Sequence, residues 1–182
     1  MAMTKKDFMK LQNGSDIRGI ACEGIEGEHT NLTPRAAYLI GQAFAIWLME
    51  KKGIEGKDCI IGVGTDSRIT GPQLKKQLIQ GILSQNVYVA DCGMASTPAS
   101  HLPFNRNGFK FFDADGGLEK ADITRILEIA AERDALVSDE EINSTVVKNP
   151  ALVCEFDLIS LYSANLCMKS CDGVQAEEHD EP

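Results

Sequence analysis

The segment from Cys59 to Gly93 places two short apolar runs on either side of a helical pattern. The first run, CIIGVG from Cys59 to Gly64, is rich in β-branched residues and is typical of a buried strand. The sequence then predicts a helix from about Pro72 to Asn86, followed by a second strand, VYVADCG, from Val87 to Gly93. A strand, a helix and a strand within about 35 residues form a βαβ unit, in which the two strands lie parallel.

Helical patterns precede and follow this unit. Thr33 and Pro34 predict the start of a long helix, and Gly53 predicts its end. A second helix is predicted from Leu118 to Arg133 and a last one from Phe156 to Met168, each with apolar residues on one face. Together with the βαβ unit, these helices predict the α/β class.

The net charge of the chain limits the class of its ligands. The 182 residues include 18 Lys and Arg against 27 Asp and Glu, which gives a formal net charge of −9 at pH 7. Nucleic acid is therefore not expected as a partner, because its phosphates attract basic proteins. An acidic protein that binds an anionic substrate needs a few local cations and backbone N–H groups instead of a general positive field.

The cysteines and the apolar runs indicate the compartment. The six cysteines include no CxxC pair, so they predict reduced thiols and not a zinc site. The first residues lack the apolar core of a signal peptide, and no apolar run is long enough for a membrane span. We therefore expect an intracellular, soluble protein, cytoplasmic by default, with no membrane partner.

Three polar segments could carry chemistry: NGSDIRG from Asn13 to Gly19, GTDSRITG from Gly64 to Gly71, and SHLPFNRNGFK from Ser100 to Lys110. The second segment follows a predicted parallel strand, at the edge of the sheet where ligands gather. A phosphate there could be held by Arg68 and by the N-terminus of the next helix. Turn geometry alone also places Gly, Asn, Asp and Ser in loops, so ordinary turns are the alternative interpretation.

The order of these segments resembles the first domain of the α-D-phosphohexomutases, the family of phosphoglucomutase, phosphomannomutase and phosphoglucosamine mutase. SDIRG, a strand ending in GTDSR, and ASHLPFNRNGFK follow one another as in that family. The resemblance implies a three-layer α/β/α domain with a mixed, mostly parallel sheet. Residues 1–11 would form an N-terminal extension, residues 12–170 the domain, and residues 171–182 an acidic, disordered tail.

The resemblance also implies a phosphoryl relay between the 1- and 6-positions of a hexose phosphate, through a phosphoserine and a hexose 1,6-bisphosphate. Ser100 would be that phosphoserine. Its phosphate would contact Mg²⁺, with Arg18 and Lys110 beside it and with Lys110 as the acid or base toward the sugar hydroxyl. His101 would order the serine loop. The residues implied in phosphate and substrate binding are Arg18, Arg68 and Asn107.

The chain departs from the family pattern near Ala99. The stretch GMASTPAS joins two family segments that a helix and a strand, on the order of twenty residues, would separate. We therefore expect one helix and one strand to be missing and the serine loop to be misplaced. DADGG, from Asp113 to Gly117, is interpreted as a turn and not as a metal loop.

The chain resembles only the first domain of the family, and this affects the activity that we expect of it. In the family, the metal carboxylates and the sugar-selecting loop lie in further domains, so the isolated chain is expected to be inactive as a mutase. One alternative is a non-catalytic truncated isoform or interaction fragment that binds a partner through an exposed sheet edge. The other is a misfolded partial product.

Overall fold

The computed structural model describes residues 3–95, 103–143, 150–158 and 160 of the 182-residue chain. Its α-helices are α1 (Lys5–Met9), α2 (Pro34–Lys52), α3 (Gly71–Leu83), α4 (Lys120–Asp134) and α5 (Asp139–Asn143). Its strands are β1 (Gln12–Asn13), β2 (Asp16–Ile20), β3 (Ile60–Thr65), β4 (Tyr88–Met94), β5 (Arg106–Lys110), β6 (Phe112–Asp113), β7 (Gly116–Gly117) and β8 (Val153–Glu155). Short 3₁₀ turns at Gly56–Asp58 and Pro150–Leu152 precede β3 and β8.

Helix α2 begins and ends where the sequence predicts. The Thr33 hydroxyl caps it by accepting a hydrogen bond from the Ala36 backbone N–H at 3.1 Å, and Pro34 is the first helical residue. Gly53 ends the helix at φ 64°, in the left-handed region that glycine adopts without strain. The helix packs against α3 and α4 and buries Leu39 completely.

The predicted βαβ unit is confirmed. β3 and β4 lie parallel, with Ile60 opposite Tyr88 and Val63 opposite Asp91, and α3 connects them. β8 adds a third parallel strand on the other side of β4. The sequence did not predict β8, because a strand of three residues is too short to show a periodicity.

A second sheet contains parts of two of the three polar segments. β2 lies between β1 and β5 and is antiparallel to both. Just after β5, Phe111 packs on Phe44 of α2 with the ring centroids 4.5 Å apart, so α2 also supports this sheet. The combination of helices with parallel and antiparallel strands confirms the α/β class.

Within the described residues, β3 is the last strand of one sheet and β5 the last strand of the other. Residues of both strands line the same cavity. The two faces of β3 differ, because Ile61 and Val63 are buried whereas Ile60 is 63% exposed. The loss of one helix and one strand near Ala99 stays a prediction.

The N-terminal residues contribute to the core. Helix α1 packs against α4, and both Phe8 and Leu11 are fully buried. The segment expected as an extension, residues 1–11, is therefore part of the folded domain from residue 3 onward. A domain boundary at residue 12 leaves out two large core side chains.

A largely buried arginine, Arg35, connects α2, α4 and α5. Arg35 Nε donates to Asp134 Oδ1 at 2.6 Å, and the other guanidinium nitrogens donate to the Asp139 carboxylate and to the carbonyl oxygens of Asp134 and Val137. The second carboxylate oxygen of Asp134 accepts a hydrogen bond from the Met3 backbone N–H at 2.7 Å. Because Asp134 is 4% exposed, this carboxylate depends on these partners and not on water.

Some expectations fall on residues that the structure does not describe. The acidic tail, 171–182, lies outside the described residues, and so does most of the last predicted helix, from Phe156 to Met168. The C-terminal boundary of the domain at residue 170 stays a prediction. None of the described helices has the length and apolar character needed to cross a membrane.

Candidate functional site

The candidate site begins with the pairing of β2 and β5. Their antiparallel register places Asp16 opposite Lys110 and Arg18 opposite Gly108. A Cβ added to Gly108 would lie 2.3 Å from the Ile17 carbonyl oxygen, so glycine is required for this close approach of the two backbones. The glycine of the FNRNGFK segment thus fixes how closely Lys110 approaches β2.

Asp16 holds two of the predicted site cations. Its Oδ2 accepts a hydrogen bond from Arg18 Nη2 at 2.8 Å, and its Oδ1 accepts one from Lys110 Nζ at 3.1 Å. Partial burial raises the pKa of Asp16, but the hydrogen bonds from Arg18 and Lys110 outweigh burial and lower that pKa below its ordinary value of 3.8. The ionised carboxylate therefore neutralises part of the positive charge that the two cations bring together.

Asp16 is a site residue that the sequence motifs alone did not predict. A signal was present in SDIRG, because residues two apart on a strand point to the same face, which places Asp16 beside Arg18. The contact with Lys110 depends on the register between strands whose paired residues are 94 positions apart. No local sequence pattern specifies that register.

Arg68 lies in the loop after β3 and contacts the chain just before β5. Its Nε donates to Asp66 Oδ2 at 3.2 Å, and its Nη1 donates to the carbonyl oxygens of Arg106 at 2.9 Å and Pro103 at 3.2 Å. The Arg68 side chain is 13% exposed. These contacts hold the turn before β5 against the loop after β3, and a phosphate-binding role for Arg68 stays a prediction.

Asn107 connects the start of α3 to β5. Its Nδ2 donates to the Thr70 hydroxyl at 2.9 Å, and its Oδ1 accepts from the Gly108 backbone N–H at 2.7 Å. Thr70 directly precedes α3, and its hydroxyl does not cap that helix. The Asn107 amide is thus engaged in positioning β5, and its predicted role in phosphate binding is untested.

Ser100 and His101 lie outside the described residues, but the chain is described on both sides of them. Before them, the Ala95 backbone N–H donates to the Thr65 carbonyl oxygen at 2.8 Å, and after them Pro103 accepts from Arg68. The two ends of the segment that contains Ser100 are therefore attached to the last residue of β3 and to the loop that follows it. This loop is at the carboxyl end of a parallel strand pair, where the sequence predicts the site.

Another ion pair lies close to this loop. Lys75 of α3 donates a hydrogen bond to the carboxylate of Asp91 on β4, and its side chain is 14% exposed. Lys75 lines a cavity of about 420 Å³ together with Asn107 and Lys110. The sequence did not identify Lys75, because a lysine on an amphipathic helix looks like a surface cation until its partner strand is known.

The described residues offer no ready metal site. Among them, no group of three or more His, Cys, Asp or Glu side chains could hold a metal ion. In DADGG, Asp113 and Asp115 lie at the turn of the β6–β7 hairpin and pair with Lys51 at 3.2 Å and Lys52 at 3.1 Å. DADGG therefore forms a turn, and the contact of Mg²⁺ with a phosphate on Ser100 stays a prediction.

Comparisons with known proteins assign the family. Residues 9–99 match the family model of phosphoglucomutase/phosphomannomutase, alpha/beta/alpha domain I. The phosphoglucosamine mutase of Pediococcus pentosaceus is 32% identical over 146 residues, covering 69% of this chain and 30% of the relative. That of Lactobacillus acidophilus is 31% identical over 152 residues, covering 74% of this chain and 30% of the relative. The chain belongs to the phosphohexomutase family, of which it contains domain I.

The comparisons also define what the chain shares with its relatives. It spans about 30% of the length of these two curated relatives. A solved structure of a phosphoglucomutase/phosphomannomutase family protein from Burkholderia thailandensis matches with a TM-score of 0.54 at 21% identity, covering 88% of this chain and 35% of that chain. This likeness supports the fold. The family-model match ends at residue 99. An interruption of the family pattern near Ala99 stays a prediction.

Proposed function

We propose that this chain is the serine-bearing domain of a phosphosugar mutase, in which Ser100 carries the phosphoryl group between the 1- and 6-positions of a hexose phosphate. The observation that carries the proposal is the placement of Arg18 and Lys110 on the single carboxylate of Asp16. Family membership supports the type of reaction. The isolated chain, which spans about 30% of its relatives, is proposed not to complete the mutase cycle alone.

The proposed transfer needs positive charge near the phosphoryl oxygens. The bond between Ser100 Oγ and phosphorus breaks while a bond forms between phosphorus and a sugar hydroxyl oxygen. Ser100 Oγ leaves with the bonding electron pair and takes up a proton, and the sugar hydroxyl loses one; Lys110 is the candidate group that gives the first proton and accepts the second. When a phosphoryl group is present, Arg18 and Lys110 would release the Asp16 carboxylate and bind the phosphoryl oxygens instead. Asp16 would hold the two cations in place while no phosphate is present.

In-line transfer also depends on the position of the serine segment. Arg68 is proposed to set this position through its hydrogen bonds to Pro103 and Arg106, and His101 is proposed to order the segment itself. Arg68 and Asn107 would add to phosphate binding from the same side. These roles make the loop after β3 a support for the nucleophile.

Mg²⁺ and the sugar phosphate are the proposed ligands. Mg²⁺ would bind the phosphate on Ser100 and neutralise charge on the transferring group, with carboxylate ligands from outside the described residues, which contain no metal cluster of their own. Hexose phosphates and hexose 1,6-bisphosphates are the proposed substrates. Because the relatives are phosphoglucosamine mutases, a glucosamine phosphate is the first sugar to test.

The test is the transfer of phosphate to the chain itself. The purified chain is incubated with Mg²⁺ and glucosamine 1,6-bisphosphate or glucose 1,6-bisphosphate, and its intact mass is measured. We expect a gain of one phosphoryl group, located on Ser100 by fragmentation. The Ser100→Ala variant should gain none, whereas the matched variant Ser138→Ala should be phosphorylated like the unmodified chain. A folded chain that gains no phosphate, or gains it equally in Ser100→Ala, contradicts the proposal.

A second candidate function is non-catalytic binding, which is favoured by the edges of β3 and β5 that pair with no further strand in the part of the chain that the structure describes. Circular dichroism during a thermal melt first distinguishes a folded domain from a misfolded one. A cooperative transition supports a folded domain that could bind a partner. Its absence supports a misfolded partial product and excludes both candidate functions.

A further inference from the structure

The cavity of about 420 Å³ beside the candidate site has a largely apolar wall. Leu74, Leu78 and Ile82 of α3 line it, together with Phe44 of α2 and Phe111, which follows β5. Each of these five side chains is at most 7% exposed. An apolar side chain that enters this cavity is therefore buried against core residues, which is favourable.

Two stretches outside the described residues border this cavity. Of the described residues next to such a stretch, only Ala95 and Leu158 line it. The residues after Ala95, 96–102, read STPASHL, in which Leu102 is the one large apolar side chain. The residues after Leu158 are richer in large apolar side chains and are therefore the better match to an apolar wall.

Leu158 lies in the first turn of a capped helix. The Asp157 carboxylate accepts hydrogen bonds from the Ser160 backbone N–H at 3.0 Å and from the Ser160 hydroxyl at 2.6 Å, and the backbone is helical at Leu158 and Ser160. A carboxylate that accepts from the N–H group three residues later is the usual helix N-cap. These hydrogen bonds also lower the pKa of Asp157 below its ordinary value of 3.8, so the cap is ionised at neutral pH.

The sequence from Leu158 to Met168, which we call the C-terminal segment, suits this cavity. A helix that continues from the cap places Leu161, Tyr162 and Leu166 on the same side as Leu158. The C-terminal segment contains no Asp, Glu, Lys or Arg. A segment with one apolar side and no charge gains more from burial of that side than from contact with water.

We propose that the C-terminal segment packs its apolar side into this cavity. Asn107 and Lys110 of the candidate site line the same cavity. The packed segment thus lies beside them and restricts the access of a phosphosugar to Lys110. The packing does not depend on phosphoryl transfer, whereas its effect on access rests on the function proposed above.

Native cysteines report on this packing in the full chain. Cys92 lines the cavity, and Cys22 is also partly buried but lines neither cavity of the described residues. Because Leu161→Asp releases the segment, it should raise the alkylation rate of Cys92 at least about fivefold and leave Cys22 unchanged, as measured by peptide mass spectrometry. Ser163→Asp adds the same charge about 200° further round the helix, away from the apolar side, and should change neither rate.

The same measurement contains its own check on folding. Cys59 is 5% exposed and becomes reactive only when the domain unfolds. An unchanged rate at Cys92 in Leu161→Asp overturns the proposal, and so do equal increases in Leu161→Asp and Ser163→Asp. A rate at Cys92 that depends on protein concentration points to a second copy as the occupant and overturns the proposal as well.

Cross-linking decides the question if Leu161→Asp also makes Cys59 reactive. A short bifunctional maleimide should join the new thiol of Leu161→Cys to Cys92, identified by peptide mapping. Ser163→Cys is the matched variant, and its new thiol should give at least about fivefold less of the link to Cys92, because it faces away from the cavity. Equal yields from the two variants contradict the packing.

The effect on the candidate site has a separate readout. With Mg²⁺ and a hexose 1,6-bisphosphate, Leu161→Asp should gain phosphate on Ser100 at least about threefold faster than Ser163→Asp, because Lys110 is more accessible. Equal rates contradict the restriction of access. If no variant gains phosphate while Cys92 responds as expected, the packing is supported and the proposed function is contradicted, so the two failures are distinguishable.

Discussion

Asp16 and Lys110 are register partners across β2 and β5, and their side chains meet with 3.1 Å between Oδ1 and Nζ. Arg18 contacts the other oxygen of the same carboxylate at 2.8 Å. Removal of this carboxylate leaves two cations close together on neighbouring strands, which is unfavourable. Asp16 is therefore the position at which the charge balance of the candidate site can be changed without altering its backbone.

Asp16→Asn should lower the free energy of unfolding by about 1 kcal/mol at pH 7, because partly exposed ion pairs contribute little each. The folded-state pKa of Asp16 is lowered, so its stabilising contribution is complete above its ordinary value of 3.8 and disappears as the pH falls through the lowered value. Urea denaturation at several pH values should thus show that the free energies of unfolding of the unmodified chain and of Asp16→Asn converge in acid. The control, Asp115→Asn at an exposed hairpin position, should lower the free energy of unfolding by less than Asp16→Asn does. Equal losses of stability in the two variants contradict the prediction.

Gly108→Ala should lower the free energy of unfolding by about 2 kcal/mol, because the new Cβ would lie 2.3 Å from the Ile17 carbonyl oxygen. Relief of this clash must separate β2 from β5 and lengthen the contact between Asp16 and Lys110. Gly117→Ala is the matched control, since its Cβ would meet Phe112 at an ordinary 3.8 Å. Thermal melts of the two variants should differ clearly, and similar melting temperatures would show that the strands can separate at little cost.

The parts of the fold that the sequence predicts are those with local signals. Thr33, Pro34 and Gly53 mark the ends of α2 by cap geometry, and the apolar runs of β3 and β4 flank an amphipathic helix. Each signal depends on residues within a few positions of one another. This is why helix bounds and parallel pairing could be predicted without any tertiary information.

The parts of the fold and of the site that the sequence did not predict depend on contacts between residues that are far apart in the chain. Asp16 with Lys110, Arg35 with Asp134 and Lys75 with Asp91 meet because separate elements pack in one register. A charged residue on a strand or helix looks like a surface residue until its neighbouring element is known. In the candidate site, motif recognition identified Arg18 and Lys110, but Asp16, which connects them, becomes evident from the three-dimensional arrangement.

Ile60 and Tyr88 are direct neighbours on one face of the parallel sheet and are 63% and 41% exposed. Ile60→Thr combined with Tyr88→Thr should reduce binding of a hydrophobic dye and aggregation, with a change in unfolding free energy within about 0.5 kcal/mol. Ile61→Thr makes the same chemical change on the buried face and should cost about 2 kcal/mol. Dye fluorescence and urea denaturation measure both effects. A large loss of stability in the double variant would show that the face is covered in solution.

Arg35→Met should lower the free energy of unfolding by about 3 kcal/mol, because it leaves the buried carboxylate of Asp134 without its main cationic partner. Arg125→Met is the matched control, since its nearest carboxylate oxygens lie 3.6 and 4.0 Å away and its side chain is 45% exposed, and it should change stability by less than about 0.5 kcal/mol.

The double variant Arg35→Met with Asp134→Leu identifies the cause of this loss. If the cost comes from an unpaired buried charge, removal of that charge should recover part of the stability of Arg35→Met, because an apolar pair needs no hydrogen-bond partners. Urea denaturation of both single variants and of the double variant gives the coupling energy. Additive losses would show instead that Arg35 acts through its hydrogen bonds to the carbonyl oxygens of Asp134 and Val137, which close the turn between α4 and α5.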